Sequence, residues 1–294
     1  MSTTTRTTTD VIAAAHGFLA AHARVLDRRR FERLFAGGEA SSVRDAVAAY
    51  RNADGGFGHA LEPDGRGPGS QPAAGQLALR VLHEADAWDE GLVQGLLGWL
   101  ERAAPTEGGT TFVDPSVEGW PHAPWWQPQE GLPPSLITTG PIAGTLHAHG
   151  VRHPWLDRAT DLLYERAGTL QDAGPYDVRG ILDFLQHAPD RERARALALE
   201  VGRRAVDRGV ITLDAGAPGE VHGVLDAAPL PDSVLRPLFD DATVEAHLDR
   251  LAAAQREDGG WMFNWPAWSS AAESDWRGAI TVDALVVLRA NGRL

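Results

Sequence analysis

A short turn is spelled twice in this chain, once near each end, and it constrains the fold more than any other feature. Residues 50–57 read YRNADGGF and residues 255–261 read QREDGGW. In both copies an Asp precedes two glycines, and an aromatic residue follows them. Paired glycines let the backbone reverse with positive φ after a helix ends, and Asp54 and Asp258 are of a residue type that stabilises such turns. Each copy therefore predicts a tight corner between two helices.

The segments that follow the turns repeat as well. After the first turn a loop rich in Gly and Pro leads to a hydrophobic helix from Gly75, and after the second a similar loop leads to one from Gly278. A third copy runs from Trp120 to the hydrophobic segment at Gly140, and a shortened fourth begins at Gly174. Repeated units of this kind are typical of an array whose members bury a shared core.

Helical patterns cover most of the chain, whereas alternating strand patterns are nearly absent. Residues 241–254 place Val244, Leu248 and Leu251 on one face, and residues 278–290 are apolar nearly all round. The same reasoning predicts further helices near residues 11–34, 40–50, 72–85, 90–103, 136–149, 155–167, 179–187 and 191–207.

Helices that lead into a turn are amphipathic, and helices that follow a loop are more apolar. The first kind suits an outer ring that faces water, and the second suits an inner ring around a central cavity. We therefore predict an all-α fold, an α/α toroid of about five or six helix pairs. Residues 10–294 would form one domain behind a flexible N-terminal tail of residues 1–9, with Asp10 as the first N-cap.

Charge and composition argue against several classes of partner and site. The formal net charge of -13 disfavours nucleic acid, and the basic run from Arg28 to Arg33 alternates with acids, which predicts a solvated helix face. The absence of cysteine excludes disulfides and thiolate zinc sites. Because no apolar run approaches the roughly 18 residues that a membrane span needs, we expect a cytoplasmic protein without a membrane span.

The second turn carries a family resemblance. Gln255, Gly259 and Trp261 spell Q-x3-G-x-W, which resembles the QW repeat of squalene-hopene and oxidosqualene cyclases. The segment GGFGHALEPDGRGPGSQPA that begins in the first turn is similar to the GGFGG loop of protein prenyltransferase β subunits. The resemblance implies a toroid in which the Gln255 amide ties helix ends together and Trp261 stacks on it. Arg51 and Phe57 take these positions in the first copy.

The catalytic motifs of those families are absent. The chain has no DxDD acid and no Cys for the prenyltransferase zinc. Asp240, Asp241 and Glu245 spell DDxxxE, but they begin an amphipathic helix, where acids are expected for capping and dipole reasons. The resemblance therefore implies a protein that binds or transforms an isoprenoid or another small hydrophobic ligand in a central aromatic cavity, and the sequence indicates no particular cofactor and no metal site.

Two loops after the turns contain candidate site residues. The first holds His59, Glu62 and Asp64, which would either bind a cation, supply an acid and a base, or brace a polar loop. The second loop is rich in tryptophan, and its rings either pack as a plug or offer flat faces to a ligand. Its candidates are Trp120, Trp125, Trp126 and Glu130, with His122 among them.

The remaining candidate site residues lie in the last loop and at the start of one helix. Asp275 would be either a helix cap or an acid of the site. It belongs to a cluster that has the same position in the last repeat as the tryptophan-rich loop has in its own repeat. The other members of this cluster are Trp265, Trp268, Glu273, Trp276 and Arg277. Two further candidates, Tyr176 and Arg179, stand at the start of another helix.

Three functions remain open at this point. In an isoprenoid-handling enzyme, Glu62, Asp64 or Asp275 would donate the proton, with a pKa raised by burial. In a carbohydrate-active hydrolase or lyase, Glu62 or Asp64 of the first loop would face Glu130 or Asp275 of another loop across a Trp-lined cleft. The third function is that of a non-catalytic binding module. A closed apolar pocket would favour the first, and an open polar one would favour the second.

Overall fold

The computed structural model of the chain describes residues 7–170 and 172–294. Its α-helices are α1 (Thr8–His22), α2 (Val25–Phe35), α3 (Ala40–Ala48), α4 (Pro72–Glu84), α5 (Glu90–Ala103), α6 (Leu136–Ala148), α7 (Pro154–Thr169), α8 (Pro175–Leu185), α9 (Arg191–Asp207), α10 (Val224–Ala227), α11 (Asp241–Ala253) and α12 (Ser270–Ala290). Two short parallel strands, β1 (Ile211–Thr212) and β2 (His222–Gly223), pair beside α10. The predicted all-α class is confirmed.

Most predicted helices lie where the sequence places them, and those at the two ends of the chain differ. The last helix, predicted from residue 278, begins eight residues earlier at Ser270. The N-terminal segment predicted as one helix is two, because Ala23 and Arg24 have extended backbone between α1 and α2. α1 begins at Thr8, and Thr7 rather than Asp10 is its N-cap. Asp10 completes the cap by accepting the Thr7 backbone N–H at 3.0 Å. Of the predicted tail, residues 1–6 lie outside the described residues.

The two glycine corners have the same structure. Gly55 and Gly259 have φ values of 94° and 91°. A Cβ at Gly55 would lie 2.3 Å from the carbonyl oxygen of Gly95 in α5, and one at Gly259 would lie 2.1 Å from that of Ala14 in α1. Each corner therefore packs against a helix, α5 or α1, at a contact that only glycine permits. The repeated turn marks equivalent positions in the fold.

Gln255 has the bonding role that the resemblance implies. Its amide Nε2 donates to Val11 O in α1 at 3.0 Å and to Gly259 O at 2.9 Å. Trp261 is buried, and its indole donates to Leu251 O in α11 at 2.8 Å. The corner thus joins α11 to α1, which links the last repeat to the beginning of the chain.

Burial separates two kinds of helix. α11 leads into the second corner and buries Val244 and Leu248 while most of its other side chains are accessible, whereas α4 is largely buried from Pro72 to Leu82. α4 packs on α6, α6 on α8, and α12 on α2, while α1 lies against α12. The two ends of the chain therefore meet, as a closed array requires, and the toroid itself stays a prediction.

Glycines set the closest helix contact. A Cβ at Gly140 in α6 would lie 1.9 Å from Gly180 O in α8, and one at Gly180 would lie 2.1 Å from Leu136 O. Gly144, one turn after Gly140, makes a similar approach to Asp183 O at 2.4 Å. Small residues let the two backbones touch, so the start of α8 is held rigidly against α6.

A buried arginine joins three helices and corrects the prediction of a solvated basic face in α2. Arg30 is 1% exposed and lies on the same side of α2 as Leu26. Its Nη2 contacts Glu84 of α4 at 2.7 Å and Asp283 of α12 at 2.6 Å. The carboxylates on neighbouring helices make this burial possible, and a single helix pattern does not reveal them.

In the part of the chain that is described, no helix combines the length and the apolar character that a membrane crossing requires.

Candidate functional site

The loop after the first corner buries its two acids by pairing with the tryptophan-rich loop. Arg66 N donates to Pro121 O at 3.0 Å, and Ala123 N donates to Asp64 O at 2.8 Å. Leu61 is fully buried between the acids and the corner. As a result the side chains of Glu62 and Asp64 are only 8% and 6% exposed. Buried acids of this kind need hydrogen-bond partners or a changed pKa.

Asp64 is surrounded by indole groups. Its Oδ1 accepts the Trp276 Nε1–H at 2.9 Å, and its Oδ2 accepts the Trp125 Nε1–H at 3.0 Å. The indole of Trp268 lies beside the same carboxyl, and its buried Nε1 has no hydrogen-bond partner of its own in the described structure. Burial raises the pKa of Asp64, and the indole N–H groups of Trp276, Trp125 and Trp268 oppose that rise. Donors at both oxygens fit a carboxylate, because an indole can only donate.

Glu62, the acid next to Asp64, is the one that stays protonated. Its Oε2 accepts the backbone N–H of Asp64 at 2.8 Å. Burial, followed by the negative charge of Asp64, raises the pKa of Glu62 well above its usual range, against the backbone amides of Asp64 and Gly65 and the charge of Arg24. Two adjacent buried acids do not readily ionise together, because their negative charges repel each other. Glu62 is therefore protonated at pH values at which an exposed glutamate is ionised.

A second ion pair joins the first loop to the last repeat. Arg66 Nη1 lies 2.5 Å from Asp275 Oδ2, and both side chains are partly accessible. Asp275 does not cap α12, because that helix begins at Ser270 and its N-cap is Ser269. The capping role predicted for Asp275 is therefore wrong. Its partner is a loop residue of the candidate site.

The side chains of Arg179 and Asp183 on α8 are accessible to solvent. Water reaches Arg179, yet protein encloses it strongly. Enclosure lowers the pKa of Arg179, and the carboxylates of Asp183, Asp226 and Asp283 raise it further than enclosure lowers it. Burial raises the pKa of Asp183, and Arg179 and Arg80 oppose that rise. A guanidinium that is accessible to solvent and also surrounded by protein lies in a recess rather than on the outer surface.

Charged pairs also line this region. Arg80 of α4 contacts Asp283 of α12 at 3.0 Å, and Asp283 also contacts Arg30. Tyr176 donates a short hydrogen bond to Glu220, and its ring meets His222 edge to face with centroids 4.7 Å apart. Arg80, Asp283, Tyr176 and Glu220 therefore place charged and hydroxyl groups near Arg179 and Asp183.

Several predicted residues do not join the carboxyls. His59 has a left-handed backbone with φ of 55° and bonds to Asn52 at 2.9 Å. Trp120 and Glu130 are exposed, and Trp126 is 1% exposed beneath the loop, where its ring touches Gly65. The indole of Trp126 has a packing role, which a bound ligand would have to disrupt in order to reach it.

The segment predicted as the last loop is partly helical, because α12 begins at Ser270 and contains Trp276 and Arg277. Trp265 meets Trp276 edge to face with centroids 5.3 Å apart, which places it next to the indole that holds Asp64. Arg277 instead contacts Asp258 at 2.6 Å and lies over the ring of Phe18. Arg277 therefore supports the second glycine corner and does not take part in the carboxyl cluster.

The cleft on the first corner lies apart from the buried acids, and the described residues contain no group of metal ligands. A cleft of about 290 Å³ is lined by Asn52, Asp54, Ser70, Trp99, Asp114 and Ser116 on the first corner, and neither buried acid lines it. In residues 7–170 and 172–294, no three His, Asp or Glu side chains are grouped so that they would hold a metal ion. His59, Glu62 and Asp64 thus do not converge as ligands.

Sequence reasoning missed Asp183 and Asp283. Each is an acid inside a nearly continuous apolar helix, in ILDFL and in TVDAL. In both helices the acid is partly accessible while the residues on either side are buried. An ionisable residue on a buried helix is expensive unless it serves a partner or a cavity, and this signal is readable from the sequence.

The chain matches no family model and no curated protein. Among solved structures it is similar to a crystal structure of a protein from Actinoplanes, with a TM-score of 0.61 and 16% sequence identity. The alignment covers 97% of this chain and 99% of that chain. At this level of identity the similarity concerns the fold alone.

Proposed function

We propose that this protein is an acid catalyst of the carbohydrate-active hydrolase or lyase class, with Glu62 as its general acid. The observation that carries the proposal is the buried Glu62 next to the indole-bound carboxylate of Asp64. A general acid must hold its proton near the working pH, and burial beside a negative charge achieves this.

In this proposal the two acids have different tasks. Glu62 gives its proton to the glycosidic oxygen as the bond from that oxygen to the anomeric carbon breaks, and the oxygen departs as a hydroxyl group. Water then bonds to the anomeric carbon and releases a proton, which restores Glu62. Asp64 keeps its negative charge, because the indole donors of Trp125 and Trp276 satisfy both oxygens. A fixed negative charge stabilises the positive charge that develops on the sugar as the bond breaks.

The character of the recess supports a polar substrate. Arg80, Arg179, Asp183 and Asp283 expose charged groups between the inner helices. A hydrocarbon chain would leave these groups desolvated and without hydrogen bonds. The hydroxyl groups of a sugar replace the water that such groups lose on binding.

The tryptophans favour a second candidate, an isoprenoid-handling enzyme. Trp125, Trp265, Trp268 and Trp276 surround the acids, and indole faces stabilise carbocations as well as sugar rings. In that enzyme Glu62 would protonate the hydrocarbon. This reading agrees with the resemblance of the corners to cyclase repeats, and the acid would be the same residue.

A thermal-shift titration against two ligand classes tests the proposal. The ligands are neutral and acidic oligosaccharides, and prenyl diphosphates with squalene. A ligand at about 100 times its dissociation constant stabilises the folded state by about 2.7 kcal/mol. We expect a shift with an oligosaccharide, and a shift confined to the prenyl compounds would support the second candidate instead.

The role of the acid is tested with matched variants. Glu62→Gln removes the proton donor, and Glu130→Gln makes the same change at an exposed glutamate. Turnover of the stabilising ligand should fall by about 100-fold or more in the first variant and stay unchanged in the second. A ligand that binds without any turnover would indicate a non-catalytic binding module.

A further inference from the structure

We propose that Arg179 and Asp183 together recognise adjacent hydroxyl groups of one neutral sugar ring. The guanidinium would donate to one hydroxyl oxygen, and the carboxyl group would accept from the next hydroxyl. This inference rests on the proposed function, because it takes the substrate to be a sugar. It assigns the part of that substrate that faces α8.

The two residues stand one helical turn apart on α8. Side chains at positions i and i+4 lie on the same helix face. Water reaches both side chains, and each contributes to the electrostatic environment of the other. They nevertheless form no ion pair with each other, so both charged groups remain available to a polar ligand.

Neither side chain is saturated by protein partners. In the described parts of the chain, Arg179 and Asp183 make no hydrogen bond and no ion pair, whereas the nearby Arg80 and Asp283 contact each other at 3.0 Å. The five N–H donors of a guanidinium and the acceptors of a carboxyl are costly to leave without a partner in an enclosed place. Solvent or a ligand must therefore satisfy them.

The charges around Arg179 favour a neutral ligand over an anion. Asp183, Asp226 and Asp283 already surround the guanidinium with negative charge. Asp283 is already paired with Arg30 and Arg80, but Asp183 and Asp226 would repel a further carboxylate or phosphate. A hydroxyl group both donates and accepts, so it can bind the guanidinium and the carboxyl without adding charge.

The backbone that presents the pair is rigid. Gly180 lies between the two residues and touches Leu136 of α6, where a Cβ would approach the carbonyl oxygen to 2.1 Å. Asp183 is held in the same way, because its own carbonyl oxygen lies against Gly144 of α6. Groups on a rigid element lose little freedom when a ligand binds, which favours recognition.

Binding measurements with defined sugars test the inference. Isothermal titration uses maltose, cellobiose and digalacturonate as probes for the wild type and for the Arg179→Gln and Asp183→Asn variants. Arg195→Gln and Glu192→Gln make the same chemical changes at exposed positions of the outer helix α9. Unfolding midpoints of all variants show whether each one is folded, and Arg179→Lys retains the charge without the planar fork.

We expect both α8 variants to weaken the binding of the neutral disaccharide by about tenfold or more, with the α9 variants equal to wild type. In turnover assays the α8 variants should raise KM and keep the pH profile, unlike changes at Glu62. Unchanged binding in both α8 variants would overturn the inference and leave the proposed function standing. Digalacturonate binding that depends on Arg179 but not on Asp183 would overturn it in favour of an anion site. If no sugar binds the wild type, the proposed function fails first, and this inference fails with it.

Discussion

Trp276 Nε1 lies 2.9 Å from Asp64 Oδ1, although 212 residues separate the two along the chain. The contact joins the first glycine-rich loop to the N-terminal part of α12. With Trp125 at the other carboxyl oxygen, it leaves Asp64 almost inaccessible and still hydrogen-bonded. The candidate site therefore depends on the two ends of the chain meeting.

Replacing Trp276 with Phe should destabilise the protein while it keeps the ring in place. The change removes one N–H that donates to a buried carboxylate, and such a bond contributes about 1.5 to 3 kcal/mol. Urea unfolding at pH 7 measures the free energy of unfolding. Trp120→Phe is the control, because Trp120 is 49% exposed. An equal effect of both changes would contradict the role assigned to the Trp276 indole.

Replacing Glu62 with Gln should stabilise the fold at high pH and abolish turnover. The folded-state pKa of Glu62 lies above its unfolded value, mainly because of burial and then the charge of Asp64. Stability from a raised pKa is complete below the unfolded value near 4.3 and is lost as the pH rises through the folded value. Thermal unfolding should therefore show a higher Tm for the variant at pH 8 and little change at pH 4.

The pH profile of turnover gives an independent check on Glu62. As a general acid it is active while protonated, so the rate should fall on the alkaline side as Glu62 ionises. A profile that falls on the acidic side only would assign Glu62 to another role, because loss of a proton would then be needed for activity.

Breaking the buried network at Arg30 should cost far more than breaking an exposed pair on the same helix. Arg30→Met leaves Glu84 and Asp283 without their shared partner, and removing one member of a buried ion pair typically costs about 3 to 5 kcal/mol. Arg29→Met removes the exposed contact to Glu32, for which about 0 to 1 kcal/mol is expected. Chemical denaturation of the two variants measures the difference, and similar losses would show that the network contributes little.

The equivalence of the two corners predicts matching losses. Gly55→Ala and Gly259→Ala each place a Cβ against the backbone of a neighbouring helix, α5 or α1, in addition to the strain of positive φ. Gly209→Ala is the control, since Gly209 has φ of 70° and no atom within 4 Å of the added Cβ. The control should cost about 1 kcal/mol, and each corner variant should cost more than about 3 kcal/mol. A corner variant as mild as the control would show that its turn has room.

His187 should make the protein acid-sensitive. Burial, followed by the charges of His83 and Arg191, lowers the pKa of His187 to about 4, against the opposing charge of Asp232. In unfolded chains a histidine titrates near 6.5, so between these values the unfolded state binds a proton that the folded state does not. Stability is therefore present above about pH 6.5 and falls as the pH drops towards 4. His149, whose ring contacts His83, adds to the same trend.

The His187→Gln variant checks this assignment. Its free energy of unfolding should fall less steeply than that of wild type between pH 6.5 and 4, by up to about 1.4 kcal/mol for each pH unit. A slope equal to that of wild type would assign the acid sensitivity to other groups.

Local features of the fold were readable from the sequence because their causes act over a few residues. Positive φ at Gly55 and Gly259 follows from the turn itself, and the helices follow from the spacing of apolar residues. The same holds for Glu62 and Asp64, which the sequence marks as acids in a loop after a corner. Their burial was an expectation, and the structure supplies the loop that covers them.

The sequence by itself determined the all-α class, the repeated corners and the set of candidate site residues. Only the tertiary structure decided which of those residues meet: Trp276 reaches Asp64, His59 turns to Asn52, and Arg30 is buried between helices. The physical reason is that burial, hydrogen bonding and pKa depend on neighbours in space. Those neighbours come from distant repeats, and no pattern within one helix or one loop records them.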